Sequence, residues 1–380
     1  MTEIYLDHAA TSPMHPEVID AMVAVMNDVY GNPSSIHGIG RHARKYLDNA
    51  RGFIARSIGA KDHEIVLTSG GSEADNLAIF GTAYAHQNEG RHIITTQVEH
   101  HAVLRACERL EKEGFDVTYL PVDKHGMIAI NDFKRALRDD TILVTIMYGN
   151  NEVGTKQPIA EIGALLKDHT ATFHTDAVQA FGLEKIDVDA LGVDLLSTSA
   201  HKLNGPKGIG FLYERPKAHL QSLIVGGDQE RKRRASTENV PAVVGFAKAV
   251  ELAQSSMEEK ATEYARYRQM LLSAFDEAGI AYHVNGDALH ALPHVLNVSF
   301  NGTDVESFLI NLDIEGIAVS SGSACTAGSL EPSHVLLAMY GKGAEELRNS
   351  IRFSFGYGLD SAQIKRAAQT VIGIVKRLTK

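Results

Sequence analysis

Between about residue 60 and residue 215, short apolar runs alternate with amphipathic stretches of helical spacing. That alternation restricts the chain to strands joined by crossover helices in a mainly parallel sheet. The strand candidates are EIVLTS, HIITT, VTYLPV, TILVTIMY, TFHTDA, DLLSTSA and GIGFLY, seven in all. Between them ADNLAIFGTAYAHQ, HAVLRACERLEKEG, NDFKRALRDD and IAEIGALLKDH repeat apolar residues at helical intervals, and the glycine of EKEG is a helix-ending signal. The class is therefore α/β.

A chain of 380 residues exceeds what one core usually serves, so a second domain is expected. A single long helical pattern runs from near Ala242 through Glu277. Beyond it strands and helices mix, with HVLNVSF, FLINLDIEG and SIRFSFG as the marked runs before a final helix, which reads as a smaller α+β domain. No stretch of about 18 apolar residues and no basic leader followed by an apolar run occurs, so the expected compartment is the cytoplasm, with no membrane partner. The formal charge of −10 opposes non-specific attraction to nucleic acid, although Arg231, Lys232, Arg233 and Arg234 make a local basic cluster that reads as a solvated loop. Cys107 and Cys325 form no metal-binding spacing, so no metal is expected and both should be thiols. Cys325 stands in SSGSACTAGS, a run of small residues that gives it nothing to pack against.

Lys202 follows a strand end, sits in the polar turn SAHK and precedes a glycine-rich hairpin. A partly desolvated amine at such a place becomes nucleophilic toward a carbonyl cofactor; the alternative is a solvated loop lysine. Asp176, in FHTDAVQAFG, stands where ligand groups of α/β sheets collect and suits the ring nitrogen of pyridoxal phosphate, but it equally suits a helix N-cap. Gly70, Gly71 and Ser72 join a strand to a helix, a phosphate-binding arrangement, and neither the dinucleotide nor the P-loop fingerprint is present. His100 and His101 open a helix and point in different directions, which disfavours a metal pair; one of them can stack on a flat cofactor and move protons, or simply start the helix.

Taken together, YLDHAATSP, GNPSSIHGIG, TSGGSEADNLAI, VEHHAV, GNNEVG, HTDAVQ, SAHKLNGPKGIGFLY, SSGSACTAGSLEP and SIRFSFG resemble, in order and over nearly the whole chain, the cysteine desulfurases of the NifS/IscS type. This is a homodimeric group within the class V aminotransferases. The resemblance implies a fold-type I pyridoxal-phosphate transferase, with a large domain over residues 15–258 built on a mainly parallel seven-stranded sheet. The smaller domain would comprise residues 1–14 and 259–380 and carry the Cys325 loop.

It also implies roles. Lys202 holds the cofactor covalently, His100 stacks over its ring, Asp176 faces the ring nitrogen and Gln179 the phenolic oxygen. Gly71, Ser72, Ser199 and His201 match the phosphate site, and Thr237 matches a phosphate ligand supplied by the neighbouring subunit. Asn151 contacts cofactor and substrate, and Arg352 holds the substrate carboxylate. Cys325 would be the nucleophile that takes sulfur from L-cysteine as a persulfide and passes it on by thiol exchange. In the implied sequence of events cysteine displaces Lys202, Lys202 removes the α-proton, Cys325 takes the sulfur and alanine leaves. Cys107, within an amphipathic helix, reads instead as a small buried hydrophobe.

The phosphate turn reads GGSE where many members have GATE, which keeps the hydroxyl. The chain ends soon after AQIKRAAQTVIGIVKRLTK, without the extension that some members use to dock an iron–sulfur scaffold, so the expected sulfur acceptor includes a tRNA-thiolating enzyme as well as such a scaffold. Three rival pyridoxal-phosphate activities use the same fold: transamination, selenocysteine cleavage and sulfide-releasing C–S lysis. Transamination has no use for Cys325. A non-catalytic dimeric adaptor is the rival outside enzymology.

Overall fold

The computed structural model describes residues 3–321 and 332–379, so Cys325 lies outside the described residues. In chain order the first strands are β1 (Ile4–Tyr5), β2 (Ile65–Thr68), β3 (His92–Thr96), β4 (Asp116–Leu120), β5 (Thr141–Thr145) and β6 (Thr172–Asp176). They are followed by β7 (Leu195–Ser199), β8 (Gly210–Glu214), β9 (Tyr282–Asn285), β10 (Val295–Phe300), β11 (Ile317–Ala318) and β12 (Ser350–Ser354).

The large sheet has seven strands in the order β2-β8-β7-β6-β5-β3-β4. From β7 to β4 all neighbours run parallel, whereas β8 is antiparallel to both β2 and β7. Each strand anticipated from the apolar runs of this region is present. Helices cover the sheet, which is why β2, β3, β5, β6, β7 and β8 are buried at every position. Burial on both faces obliges their polar side chains to find partners. His174 in β6 does so twice, through Nδ1 to Thr145 Oγ1 at 2.8 Å and through Nε2 to Ser197 Oγ at 2.9 Å.

A second core gathers around the antiparallel sheet β12-β10-β9, with Leu296, Phe300, Phe308, Phe353 and Ile364 inside it. Each such side chain contributes about 1.5–3 kcal/mol by leaving water. Ile4 and Leu6 from the start of the chain belong to this second core, and β1 pairs in parallel with β11.

One detail differs from the periodicity. The pattern between Ala242 and Glu277 is not one helix but two, Val240–Ser255 and Met257–Glu277, broken at Ser256. The marked run FLINLDIEG, left open between strand and helix, is helical as far as Ile314 in the helix Val305–Ile314, which the Asp304 side chain caps by accepting from Ser307 N at 3.0 Å.

Candidate active site

The carboxyl ends of β6 and β7 open into a cavity of about 540 Å³. Asp176 is the last residue of β6 and Ser199 the last of β7, and a 3₁₀ turn, Ala200–Lys202, then swings the lysine over the sheet end. Lys202, Asp176, Gln179, His100, Asn151, Gly71, Ser72, Ser199, His201 and Arg352 all line this cavity, so the fold brings together ten of the residues singled out in the sequence. Thr237 is exposed and lies outside it.

Lys202 Nζ donates to two backbone carbonyls, Ala9 O at 2.5 Å and Ala10 O at 2.8 Å. Burial first, and the Arg352 charge second, push its pKa down to about 8. The amine is thus near the point where its free, nucleophilic form is abundant at neutral pH. Asp176 Oδ1 accepts from Val178 N at 2.9 Å. Burial raises this carboxyl to about 6, against the opposing pull of that hydrogen bond and of Lys202. The two readings of Asp176 merge, since it caps the local turn and still faces the cavity.

His100 starts its helix, as one reading of it expected, and also lines the cavity. Its Nδ1 accepts from Ala102 N at 3.1 Å, which caps the helix His101–Lys112 and leaves the proton of the neutral ring on Nε2. The ring faces the open cavity, yet the surrounding protein, then Lys202, pushes its pKa down to about 4. His201 is similarly pushed to about 4, by burial and then Lys202, with Nδ1 3.2 Å from Thr11 Oγ1. Gln179 donates from Nε2 to Ala9 O at 3.0 Å and meets His294 Nε2 through Oε1 at 3.1 Å.

Arg352 is 4% exposed. Its Nη1 donates to Asn151 O at 2.9 Å and its Nη2 lies 2.7 Å from Asp7 Oδ1, whereas no acceptor among the described residues reaches its buried Nε. A guanidinium held this way retains donor capacity for an incoming carboxylate.

The phosphate turn depends on glycine at two positions. Gly70 has φ +150°, a backbone region nearly closed to other residues, and a Cβ at Gly71 would stand 2.8 Å from Val178 Cγ2. The sixteen-residue helix Gly71–His86 starts there, with the hydroxyl-bearing Ser72 at its second position. A helix start of this kind, a buried carboxylate, a depressed lysine and a cavity of this size fit a phosphorylated pyridine aldehyde, and no feature of the site opposes it.

Several lining residues carried no role in the sequence reading: Asp7, Asp75, Glu152 and His334. Asp7 stood in the quoted motif YLDHAATSP, but its partner is 345 positions away. Buried Glu152 accepts a short hydrogen bond from Ser333 Oγ and lies 4.0 Å from His334 Nδ1. The basic cluster corrects the solvated-loop expectation in part: Arg233 pairs with Glu214 and Arg234 with Glu73, while Arg231 and Lys232 are exposed. Glu73 also accepts from Ser69 N at 2.8 Å, which ties the cluster to the phosphate turn. Cys107 is fully buried and its thiol pKa is pushed far up by burial, as befits a packing residue.

Comparison with known proteins agrees with this geometry. The family model described as aminotransferase class-V matches residues 4–367. The "Putative cysteine desulfurase IscS 1" of Bacillus subtilis is 59% identical, with 100% of each chain covered. The "Cysteine desulfurase IscS" of Methanosarcina thermophila is 47% identical over 99% of this chain and 92% of its own. Among solved structures, a "NIFS-LIKE PROTEIN" superposes with a TM-score of 0.92 at 33% identity, covering 99% of this chain and 100% of that one. "SspA in complex with cysteine" gives 0.79 at 38%, covering 93% and 99%. Because the match takes in both cores and the cavity between the sheet ends and the N-terminal segment, the chain belongs to the aminotransferase class-V family of pyridoxal-phosphate proteins.

Proposed function

We propose that this protein is a pyridoxal-phosphate-dependent cysteine desulfurase, which converts L-cysteine to L-alanine and takes up the sulfur as a persulfide on Cys325. The observation that carries the reading is the convergence of Lys202, Asp176, His100 and Arg352, distant in sequence, on one cavity. When bound, pyridoxal phosphate supplies the electron sink that acidifies the α-proton of an amino acid. The chain's own residues do the rest. Arg352 holds the substrate carboxylate and so fixes which Cα–H bond faces Lys202, whose amine, free above about pH 8, takes that proton. Asp176 would keep a negative charge against the ring nitrogen, and Gln179 would meet the phenolic oxygen. Ser72, Ser199 and His201, with the Gly71 turn, would hold the phosphate. His100 Nε2–H is placed to move a proton at the substrate sulfur or at the carbon that becomes the alanine methyl.

The Cys325 thiolate then attacks the substrate sulfur. The S–S bond forms as the C–S bond breaks, the carbon keeps the electron pair and is protonated, and one thiol plus cysteine becomes one persulfide plus alanine. The relatives described as cysteine desulfurases, and the neighbour solved with cysteine, support this substrate. A homodimer follows from the same reading, with exposed Thr237 serving the phosphate site of the partner subunit. Residues 15–258 then form the cofactor lobe, and 1–14 with 259–380 the smaller one. The acceptors are sulfur-carrying proteins of tRNA thiolation or iron–sulfur assembly, and the compartment is the cytoplasm. Among the described residues no helix is long and apolar enough to cross a membrane.

The test is mass spectrometry of the Cys325 peptide after the protein meets cysteine, with free alanine measured in the same tube. One added sulfur with alanine is the expected result. Alanine with no added sulfur, even when the reaction is quenched early, would replace this reading with a sulfide-releasing lyase.

A further inference from the structure

The helix Gly71–His86 packs across β5, β6 and β7 and brings a second carboxyl into the layer that holds Asp176. Asp75 is 1% exposed, lines the floor of the cavity, and has an Oδ1 with no hydrogen-bond partner among the described residues. The nitrogen nearest to it as an ion-pair partner is His174 Nε2 at 3.7 Å, beyond hydrogen-bond range. That ring is bound to hydroxyls at both nitrogens and, wholly buried, is pushed down to about 3, so it brings no positive charge. The other titratable groups acting on Asp75 are Asp176 on β6 and Glu99 after β3, both acidic. Among the described residues Asp75 thus has two acids, one neutral imidazole and the Ser197 hydroxyl for company, and no cation.

An ionised carboxylate in such a place is costly, and two ionised neighbours are costlier still. If Asp75 carried the charge it would drive a proton onto Asp176 and discharge the group that the ring nitrogen needs. We propose that Asp75 is a positioning residue that stands beside Asp176 as an uncharged carboxylic acid, so that the pair carries one negative charge and Asp176 holds it. The inference rests on the pyridoxal-phosphate reading above. The division of the charge follows from the surroundings: burial first and Asp176 second raise Asp75 well above the carboxylate range, with only the Ser197 hydroxyl pulling the other way, whereas Asp176 has the Val178 N–H and the Lys202 charge to favour its ionised form. Such a pair titrates jointly, with its first proton lost from Asp176.

The experiment compares wild type, Asp75→Asn and Asp75→Ala, each stripped of cofactor and titrated with pyridoxal 5'-phosphate between about pH 6 and pH 9, with thermal melts of the cofactor-free forms. Asn mimics the neutral acid, so its dissociation constant should stay within about threefold of wild type at every pH, while Ala, which leaves a hole beside Asp176, should weaken binding about tenfold or more. The sign of the melt is informative. A carboxyl raised in the folded state takes up a proton on folding at neutral pH, which opposes folding, so Asp75→Asn should melt at or above wild type.

Three results overturn the proposal: Asn binding as poorly as Ala, Asn melting below wild type, or Ala binding like wild type. Should the Ala variant fail to fold, the Asn affinity and melt decide alone. Wild type that does not take up pyridoxal phosphate would instead overturn the cofactor reading, and this inference with it.

Discussion

The guanidinium of Arg352, on β12, is paired at 2.7 Å with the carboxylate of Asp7, which stands just ahead of the AATSP segment. The pair is nearly closed to water on the arginine side, and it leaves Nε without an acceptor among the described residues. Arg352→Lys keeps the charge and loses the fork. It should raise the KM for cysteine by roughly 10–100-fold, in line with a lost charged hydrogen bond, and change kcat much less. Steady-state kinetics of alanine formation check this.

Lys202 is held near a pKa of about 8, below its ordinary value. A lowered lysine pKa means that the protein carries the free amine above about pH 8 and the ammonium below it. The rate at which cofactor-free protein attaches pyridoxal phosphate should therefore climb through pH 8 and level off above it. Stopped-flow absorbance measures the rate, and Lys202→Ala should fold but show no covalent attachment at any pH.

Val178 links two parts of the site, since its N–H holds Asp176 and its side chain abuts the phosphate turn. Gly71→Ala places a methyl 2.8 Å from Val178 Cγ2, so one of the two must move. We expect cofactor affinity to fall about tenfold, and Gly71→Ala/Val178→Ala to recover most of it, a coupling that a double-mutant cycle reads directly.

Glu230 is buried and receives Arg51 at 2.5 and 2.6 Å, and it also accepts from Leu67 N at 3.0 Å on β2. Arg51→Ala removes the only guanidinium hydrogen-bonded to that buried carboxylate among the described residues, leaving just the more distant Arg44 and Arg234, and should cost about 3 kcal/mol. Glu230→Gln keeps an acceptor for Leu67 N and should cost less than half as much. Urea denaturation of the cofactor-free protein separates the two.

The sequence exposed the large sheet because strands buried on both faces are written as short, nearly continuous apolar runs, and TILVTIMY or DLLSTSA have few other readings. It exposed the lysine, aspartate and glycine turn because each sits at a strand end, a place defined by local pattern. The break at Ser256 was hidden, since serine neither stops a helix nor disturbs its apolar spacing. Asp7 was hidden for a different reason: its role comes from a contact with β12, and nothing local distinguishes it from a turn aspartate. Asp75 was masked by its helix, which is buried at nine positions from Ala74 to Ala83 and so shows no polar face against which an inward acid would stand out.

The N-terminal segment reaches the site by way of the C-terminal strand. Ser354 N donates to Leu6 O, Ala9 N donates to Ser354 Oγ at 2.9 Å, and the carbonyls of Ala9 and Ala10 receive the Lys202 amine. The same segment is also tied to the lysine turn, through Ser12 Oγ to His201 O at 2.7 Å and Asn204 N to Ser12 Oγ at 2.8 Å, so β12 adds the last of its anchors during synthesis. A nascent chain that has not yet made β12 therefore lacks the Arg352 wall of the pocket, and the cavity is finished only when segments some 345 positions apart have met.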